Sequence, residues 1–424
     1  MTPRPSPTPL CFIAAVAAFA SVSSFSGAQE NSESLHWYRG NTHTHSLWSD
    51  GNDFPEMITA WYKDRGYDFM ALSDHNTLAE GERWMTLDAI AKRQRAIGRT
   101  AMEKYQERWG DDWVETRETN GVTEVRLKTL AEYRGKLEKP GEFLIVQAEE
   151  ISNSAGGKPI HINAVNLETV IPAIKSDDAN DLRKVTGEVV TRVRKAAELS
   201  GRPILAHLNH PNFQWAFTPE DLAHVAEVGF FEVYNGHPGI HHLGDESRPG
   251  DERIWDIANT IRIAELDREP LLGVATDDSH TYHGGDVSPG RGWVMVHAPA
   301  LEPNALVEAM QVGDFYASSG VALKSIAWDP KSRTLSLKID PGEGATYSTA
   351  FIGTRSSYDA TKPTGENGIG EVFAELTGNE VSFTLPEDAL YLRATVTSSE
   401  KHDNPSFPEQ RKQAWTQPVG WRAE

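Results

Sequence analysis

Residues of the types that bind metal ions cluster between Gly40 and Gly51. His43 and His45 stand two residues apart, so on an extended strand both side chains point to the same face, as two ligands of one ion require. Asp50 follows on a turn and supplies a carboxylate oxygen. A lone His-x-His pair is weak evidence, because histidines are common at protein surfaces. The pair indicates a metal site only if other segments supply further ligands.

The same residue types recur wherever another apolar run ends. The segments concerned are Ser73-Asp-His75, Glu149-Glu150, Asn209-His-Pro211 and Asp277-Asp-Ser-His280. Parallel strands bring their C-terminal ends together at one edge of a sheet, where α/β folds place their ligands. We therefore expect these side chains to form one cluster, and the recurrence predicts a metal site.

The elements that must position this cluster are short apolar runs alternating with helical stretches. The predicted strands cover residues 67–72, 143–147, 161–165, 203–206, 230–234, 271–275 and 293–296. The predicted helices cover residues 83–110, 181–200, 219–228 and 303–312. Such alternation implies crossover connections and an α/β fold with a parallel sheet, either open or closed into a barrel.

Two segments depart from this alternation. Residues 79–140 form a long, charged insertion, which we interpret as a helical cap over one face. From about Ala322, short alternating runs separated by Asp-Pro, Pro-Gly and Gly-rich turns predict a small antiparallel β domain. We therefore predict a catalytic domain over residues 33–320 and a β-rich C-terminal domain over residues 321–424.

Composition excludes several classes of protein. The 424 residues are 39% hydrophobic and 24% charged, which is typical of a soluble globular chain. The formal net charge of −20 repels polyanions, so no nucleic-acid partner is expected. A small anionic substrate would need a local reversal of the potential, such as bound metal ions provide. The sequence carries no signal for an oligomeric state.

The N-terminus resembles a cleaved secretion signal. An apolar run from Leu10 to Val22 follows Arg4, and Ser26-Gly-Ala28 offers a cleavage site, so residues 1–28 are predicted to be a signal peptide. The run is too short to span a bilayer comfortably, so we expect no stable membrane span after cleavage and a secreted or periplasmic protein. The sole cysteine, Cys11, lies in this run, so the mature chain would have no disulfide.

Taken together, these motifs resemble those of the polymerase and histidinol phosphatase (PHP) family of metal-dependent hydrolases. The resemblance covers roughly Trp37 to Gly320 and includes five motifs in the family's order. Segments around Glu232, Pro289, Gly313 and Ala414 look like the secreted, carbaryl-hydrolase-like branch, whose members carry a similar β-rich tail. The resemblance implies a distorted (β/α)7 barrel that holds two to three divalent ions.

The resemblance also implies which side chains would bind the ions. They are His43, His45, Glu150 and Asp278 for a first ion, Asp50, His75 and His280 for a second, and His161, His210 and the bridging Glu150 for a third. Adjacent carboxylates point to opposite faces of a strand, so Glu150 is preferred to Glu149 and Asp278 to Asp277 by the family's motif spacing. Ligands of this mixed type, without a thiolate, accept Mn, Zn or Fe.

Other residues near the motifs have less specific roles. Asp74, His207 and His280 are candidates for the acid that protonates a leaving group, although Asp74 more simply orients an imidazole and His207 could be merely packed. His237 could line the cleft. Arg291 could contact an anionic group of the substrate, while a surface role is at least as common for arginine.

Clustered divalent ions suit hydrolysis, because they activate water and stabilise charge on the leaving oxygen. The leading hypothesis is an exported phosphoesterase in which hydroxide generated at the ions attacks a phosphate ester, a small anionic molecule. The close alternative is hydrolysis of a carboxylic ester, amide or carbamate at the same site. A third hypothesis, from another class, is a non-catalytic protein whose β-rich tail binds a glycan, polymer or partner.

Overall fold

A computed structural model of the protein describes Met1 and residues 34–93 and 100–422. Apart from Met1, the predicted signal peptide lies outside these residues. No helix among the described residues combines the length and apolar character needed to cross a membrane.

Strands and helices alternate through the first three quarters of the described chain, and strands dominate the rest. The strands are β1 (His36–Asn41), β2 (Phe69–Leu72), β3 (Arg83–Thr86), β4 (Thr116–Thr119), β5 (Val122–Leu127), β6 (Leu144–Ala155), β7 (Lys158–Val165), β8 (Lys175–Ser176), β9 (Leu205–Leu208), β10 (Phe230–Asn235), β11 (Leu272–Thr276), β12 (Trp293–Ala298), β13 (Phe315–Ser318), β14 (Ala322–Asp329), β15 (Thr334–Asp340), β16 (Tyr347–Arg355), β17 (Glu371–Thr377), β18 (Glu380–Thr384), β19 (Ala389–Lys401) and β20 (Arg411–Trp415). The α-helices are α1 (Pro55–Lys63), α2 (Leu87–Arg93), α3 (Ala101–Trp109), α4 (Leu130–Leu137), α5 (Leu182–Ser200), α6 (Pro219–His224), α7 (Asp251–Thr260) and α8 (Pro303–Gln311). Three short helical turns complete the set, at Ala179–Asp181, Phe213–Trp215 and Ile261–Glu265.

Most of the strands belong to one mixed sheet. Hydrogen bonds join them in the order β11-β10-β9-β7-β6-β2-β1-β12-β13-β20-β19-β16-β17, with β8 paired to β6 off this path. β1, β2 and β6 run parallel to one another, as do β9, β10 and β11. All four residues of β2 are buried, as expected for a parallel strand covered on both faces. The α/β class is therefore confirmed.

The sheet differs from the predicted distorted (β/α)7 barrel in two respects. β6 and β7 form an antiparallel hairpin through Gly156 and Gly157, whose positive φ angles of 55° and 80° suit a tight turn, so the sheet is mixed and not purely parallel. The hydrogen-bonded path also does not return to its start, and no closed barrel is found among the described strands. The chain just beyond β1 and β11 makes one parallel bridge, between Thr44 and Ser279.

The insertion at residues 79–140 contains both helices and strands. The prediction of a helical cap, which included one helix over residues 83–110, was therefore wrong where the insertion forms strands. Helices α2, α3 and α4 accompany an antiparallel sheet in the order β3-β5-β4. β4 and β5 are joined by Asn120-Gly121, and both residues have positive φ angles, of 52° and 76°. Asn-Gly favours this two-residue hairpin turn, and the charged strands around it concealed the signal.

The C-terminal quarter is rich in antiparallel strands, as predicted. β14, β15 and β18 form a separate three-stranded sheet, and β20, β19, β16 and β17 extend the main sheet from β13. A shared core that includes Leu337, Phe351 and Leu392 lies between these strands. Because β13 pairs with β20, residues on both sides of Gly320 share one sheet. The division into two domains at that residue stays a prediction.

Candidate metal centre

The predicted ligands lie at the C-terminal ends of the strands of the main sheet and on the β6–β7 hairpin. His43 and His45 follow β1, and Asp278 and His280 follow β11. The bridge between Thr44 and Ser279 fixes these two segments, because His45 N–H donates to the Ser279 carbonyl (3.0 Å) and Asp278 N–H donates to the His43 carbonyl (3.0 Å). Backbone pairing beyond the strand ends thus aligns two ligand motifs that are far apart in sequence.

Glu150 lies at the centre of the cluster. It is 1% exposed, and its carboxylate oxygens lie within 3.5 Å of five imidazole nitrogens. The partners are His43 (3.4 Å), His45 (3.2 Å), His75 (2.9 Å), His161 (3.0 Å) and His210 (3.5 Å). One buried carboxylate therefore connects five imidazoles supplied by four segments of the chain.

Two further carboxylates extend the cluster on either side. Asp278 Oδ1 lies 3.3 Å from His43 Nε2, 3.2 Å from His45 Nε2 and 3.6 Å from His280 Nδ1. Asp50 reaches in from the exposed side, with its oxygens 3.7 Å from His45, 3.5 Å from His75 and 3.5 Å from His280. All the residues predicted as ligands are thus brought together.

The spacing of these atoms fits bound metal ions. Nitrogen and oxygen ligands about 2.0–2.2 Å from a shared ion lie roughly 3–3.5 Å from one another, which matches the distances around Glu150 and Asp278. Four buried atoms in the cluster have no hydrogen-bond partner, namely His43 Nε2, His45 Nε2, Glu150 Oε2 and His161 Nδ1. Groups of ligand atoms close enough to hold an ion are His45-Asp50-His75-His280, His43-His45-Glu150 and His75-Glu150-His161. The residues present therefore fit divalent cations.

The electrostatics of the cluster point the same way. Burial raises the pKa of Glu150 and of Asp278, but the surrounding imidazoles outweigh it and hold both pKa values well below the usual range. Burial lowers the pKa of His43, yet Asp278, Glu150 and Glu232 raise it well above its usual value. The pKa of His45 falls to about 4, through burial and the neighbouring His280 and His75. The carboxylates are anionic, and the site needs positive charge to balance them.

Each pair of adjacent carboxylates presents one member to the cluster. Glu149 points away, where its Oε2 accepts a hydrogen bond from Ile171 N–H (2.9 Å), and burial raises its pKa to about 7. Asp277 accepts hydrogen bonds from the backbone N–H groups of Gly290, Arg291 and Gly292. Glu150 and Asp278 are therefore the members that face the imidazoles.

Glu232 is the site residue that the sequence analysis missed. It is fully buried in β10, and its Oε1 lies 2.6 Å from His43 Nδ1 and 2.7 Å from the Thr276 hydroxyl that donates to it. Its Oε2 accepts from His210 N–H (2.7 Å) and from the Asn235 side chain (2.8 Å). A carboxylate on the rear nitrogen of an imidazole orients that ring toward a metal. An acid inside the apolar run Phe230-Phe-Glu-Val was the signal available.

Strained backbone accompanies two of the ligands. His210 and Asp278 have positive φ angles of 27° and 47°, which cost energy for residues with a side chain. Asn209, beside His210, donates from its side chain to Glu150 Oε1 (2.8 Å) and to Asn163 Oδ1 (2.8 Å). Hydrogen bonds around His210 and Asp278 thus hold the backbone of these residues in strained conformations.

Two of the predicted proton donors do not line the pocket beside the cluster. Asp74 accepts hydrogen bonds from Ser46 N–H (2.8 Å), Ser46 Oγ (2.6 Å) and Ser49 Oγ (2.5 Å), so it fixes the turn that carries Asp50. His207 is fully buried behind His43, with its Nε2 3.2 Å from the Thr42 hydroxyl, and its pKa falls to about 4 through burial. His280, the third predicted donor, does line the pocket.

The two predicted substrate contacts have different outcomes. Arg291 is 4% exposed, and its guanidinium donates to the carbonyls of Gly236 (2.8 Å) and Asn404 (3.1 Å), so it ties a site loop to the C-terminal strands and does not line the pocket. The prediction of a substrate contact for Arg291 is therefore not supported, because distant backbone saturates the side chain. His237 lines the pocket, and its Nδ1 accepts from Gly239 N–H (2.8 Å).

A pocket of about 750 Å³ opens beside the cluster. Asp50, His75, Glu150, His161, His210, Asp278 and His280 form its floor. Phe213, Ile240 and Val287 contribute apolar wall, while Lys92 and Arg93 reach it from the insertion. A volume of this size accommodates a small organic molecule in contact with the ligands.

Comparisons with known proteins give distant structural likenesses. No family model matches the chain, and no curated protein matches it. A two-domain protein from Bacteroides vulgatus, described as containing a predicted PHP-like metal-dependent phosphoesterase, is 15% identical, with 90% of this chain and 95% of that chain covered and a TM-score of 0.38. A proposed metal-dependent phosphoesterase from Bifidobacterium adolescentis is 12% identical, with 58% of this chain and 88% of that chain covered and a TM-score of 0.29. At these scores, functional inference rests on the side-chain cluster itself.

Proposed function

We propose that the protein is a metal-dependent hydrolase, and specifically a phosphoesterase. The observation that carries the proposal is the buried Glu150 carboxylate, which five imidazoles approach within 3.5 Å while several of the atoms involved lack a hydrogen-bond partner. Leaving buried polar atoms unpaired is costly. Divalent cations would satisfy them together, and a structural role for so many converging ligands is hard to assign.

Two to three ions, of Mn, Zn or Fe, are proposed for the cluster. His43, His45, Glu150 and Asp278 would hold one ion; Asp50, His75 and His280 a second; His161, His210 and Glu150 a third. When bound, such ions lower the pKa of water toward neutrality and polarise a phosphoryl oxygen. Glu232 would orient His43 from behind, and Asp74 would hold the turn that presents Asp50.

A phosphate ester fits the charge of this site. Three divalent ions carry six positive charges and the carboxylates of Asp50, Glu150 and Asp278 carry three negative ones, which leaves a formal surplus of about three positive charges. An otherwise acidic chain would thus contain a cationic pocket suited to an oxyanion. With Gly239 N–H donating to Nδ1, a neutral His237 carries its proton on Nε2 and can donate it to a substrate oxygen.

Protonation of the leaving oxygen is assigned to His280 in this proposal. It is the one of the three predicted donors that lines the pocket, and its Nδ1 lies 2.9 Å from the Asp278 carbonyl oxygen. That contact fixes the ring with Nε2 toward Asp50, 3.5 Å away. His280 is also a proposed ligand, and its Nε2 cannot hold an ion and a proton at the same time, so proton donation would require this nitrogen to be released from the second ion.

The wider assignment is also part of the proposal. We place the protein in the PHP family, in its secreted, carbaryl-hydrolase-like branch, and interpret the β11-to-β1 part of the sheet as an incompletely hydrogen-bonded form of that family's barrel. Export through the signal peptide would leave a mature chain that begins near Gln29. Sequencing the N-terminus of the protein recovered from outside the cytoplasm tests this point.

The experiment that tests the function combines metal analysis with a substrate panel. The purified protein is analysed for bound metals, reconstituted with Mn, Zn or Fe, and assayed on phosphomonoesters, phosphodiesters, carboxylic esters and aryl carbamates. Metal-dependent release of phosphate, or cleavage of a diester, is expected. Turnover of carbon esters or carbamates alone would replace the phosphoesterase with the alternative hydrolase. A protein that binds metal and turns over no substrate would favour a binding function.

A further inference from the structure

Two adjacent cations of the insertion reach the pocket. Lys92 and Arg93 are the last residues of α2, and both line the pocket that contains Asp50, His75 and His280. Lys92 is exposed and Arg93 is half-buried. Neither belongs to a motif that the metal cluster uses, so their presence at its mouth calls for a separate explanation.

The described residues place no carboxylate within ion-pair distance of either cation, although Asp50 and Asp74 act on Arg93 from farther away. Within residues 34–93 and 100–422, no ion pair joins Lys92 or Arg93 to a carboxylate, and the hydrogen bond found for Arg93 is a long one, from Nη1 to the Leu47 carbonyl (3.4 Å). The nearby Asp50 directs its oxygens to imidazoles instead. Asp286 also lines the pocket without pairing with either cation. Among the described residues the two cations thus lack ion pairs, and they add positive charge to one pocket of a chain whose net charge is −20.

The insertion is held against the segment that carries Asp50. Trp48 Nε1 donates to the Lys128 carbonyl (3.0 Å), and the Arg83 guanidinium donates to the Trp48 carbonyl. The Leu47 contact of Arg93 belongs to the same attachment. The position of α2 relative to the ligand turn is therefore fixed by several contacts, which gives Lys92 and Arg93 a defined location at the mouth.

We propose that Lys92 and Arg93 bind a second anionic group of the substrate. This inference rests on the proposed function, in which a phosphate ester occupies the metal cluster. A substrate with one anionic group would satisfy the cluster and leave both cations unmatched. A phosphate ester that also carries a carboxylate or a second phosphate would match both, and the guanidinium fork of Arg93 suits either oxyanion. The predicted substrate class is thus a small organic phosphate with two anionic ends.

Calorimetric binding of non-hydrolysable phosphonates to the metal-reconstituted protein tests this inference. Alkylphosphonates of three to six carbons are compared with ω-carboxyalkylphosphonates of equal chain length, in which a carboxylate replaces the terminal methyl group. The series covers different distances between the two anionic ends. The wild-type protein is expected to bind the best ω-carboxyalkylphosphonate about tenfold more tightly than the alkylphosphonate of equal chain length.

The variant Lys92→Gln/Arg93→Gln is expected to lose this preference and to keep its affinity for alkylphosphonates. Lys184→Gln/Lys195→Gln on α5 is the matched control, because it removes the same charge at exposed positions outside the pocket. The control should keep the tenfold preference. Absence of the preference in the wild type, or equal weakening of both compounds in the Lys92/Arg93 variant, would overturn the inference. Preference without turnover of any phosphate ester would instead contradict the proposed function alone.

Discussion

Two buried clusters of charge in this protein differ in how their polar atoms are satisfied. Arg393, 1% exposed, joins β19 to α7, with Nε and Nη2 each 2.8 Å from an Asp256 oxygen and Nη1 3.0 Å from Glu252. Around Glu150, by contrast, buried ligand atoms of His43 and His45 have no hydrogen-bond partner. Both clusters contain ionised groups removed from water, but in the second cluster several buried atoms that could bind a metal have no hydrogen-bond partner.

The difference separates a structural cluster from a functional one. Burying a charge is tolerated when a partner of opposite charge and full hydrogen bonding accompany it. The Arg393 cluster meets that condition with protein atoms. The Glu150 cluster meets it only partly, by protonating some of its histidines, and divalent ions would replace those protons. Removing either cluster's central charge should therefore produce different losses: metal affinity in one case and folding stability in the other.

The largest effect is expected for Glu150→Gln. The amide keeps the shape of the side chain but removes the charge that five imidazoles share, so metal uptake should fall by at least about a thousandfold, beyond the ten- to hundredfold typical of outer partners. Hydrolytic activity should be lost with it. Metal content by elemental analysis and affinity by competition with a chelator measure the effect.

Glu149→Gln is the matched control for this variant. It makes the same chemical change one residue away, on a side chain that faces Ile171. Metal affinity should remain within about threefold of wild type, since no ligand is altered. Equal loss of metal in both variants would show that the charge of the strand, and not the position of Glu150, holds the ions.

Arg393→Met tests the self-contained cluster. Removing the guanidinium leaves Asp256 buried with only the Tyr391 hydroxyl on Oδ1 (2.8 Å), so the free energy of unfolding should fall by about 3–5 kcal/mol. Arg355→Met is the control, because Arg355 also contacts two carboxylates, Glu371 and Asp388, but is 37% exposed. Its loss should be at most about 1 kcal/mol. Urea unfolding measures both, and comparable losses would contradict the distinction.

Much of the sheet could be predicted from the sequence, because its central strands are continuous apolar runs. The segment Phe69–Leu72 is buried throughout, and the helix predicted at 181–200 is α5, which ends at Gly201 with a φ angle of 67°. The direction of β7 could not be predicted in the same way. Its antiparallel pairing with β6 depends on the Gly156-Gly157 turn. The apolar sequence of a strand indicates that the strand is buried, but it does not indicate which strand pairs with it or in which direction.

The candidate site was predictable to the extent that its ligands follow strand ends. Glu232 was not predicted, because its partner His43 lies 189 residues away in the sequence. An acidic residue in an apolar strand indicates that it has a polar partner, but not which residue that partner is. Arg291 was misjudged for a related reason: Asn404, 113 residues away, covers its guanidinium. Types and spacing identify groups capable of chemistry, whereas contacts between distant segments decide which groups remain free to perform it.

Glu232→Gln tests how far the functional cluster extends beyond its ligands. The amide weakens the contact on His43 Nδ1 (2.6 Å) and the orientation of that ring, so metal affinity should fall ten- to hundredfold. Glu188→Gln on α5, an exposed position, is the control for the lost charge. Competition with a chelator measures affinity, and circular dichroism checks the fold. A loss of folding stability without a loss of metal affinity would show that Glu232 has a structural role instead.

The smallest effect is expected at the buried pair Asp251–His242, whose polar atoms are only partly satisfied by hydrogen bonds. Asp251, 1% exposed, has its Oδ2 3.0 Å from His242 Nδ1, while its Oδ1 has no hydrogen-bond partner. Burial raises the pKa of Asp251 to about 6, and the contact with His242 only partly opposes it. A folded-state pKa above the unfolded value of about 4 contributes stability at pH below 4, and this contribution is lost as pH rises through 6.

Asp251→Asn should therefore flatten the dependence of stability on pH. The asparagine does not titrate, so between pH 4.5 and pH 8 the variant should gain about 2 kcal/mol in free energy of unfolding relative to wild type. Urea unfolding at both pH values, with a chelator present to exclude metal uptake, measures the change. Glu246→Gln, in the exposed loop before α7, should show the wild-type pH dependence. A variant that loses more stability at pH 8 than at pH 4.5 would show that the ionised Asp251 is held as firmly by its surroundings as Asp256 is by Arg393.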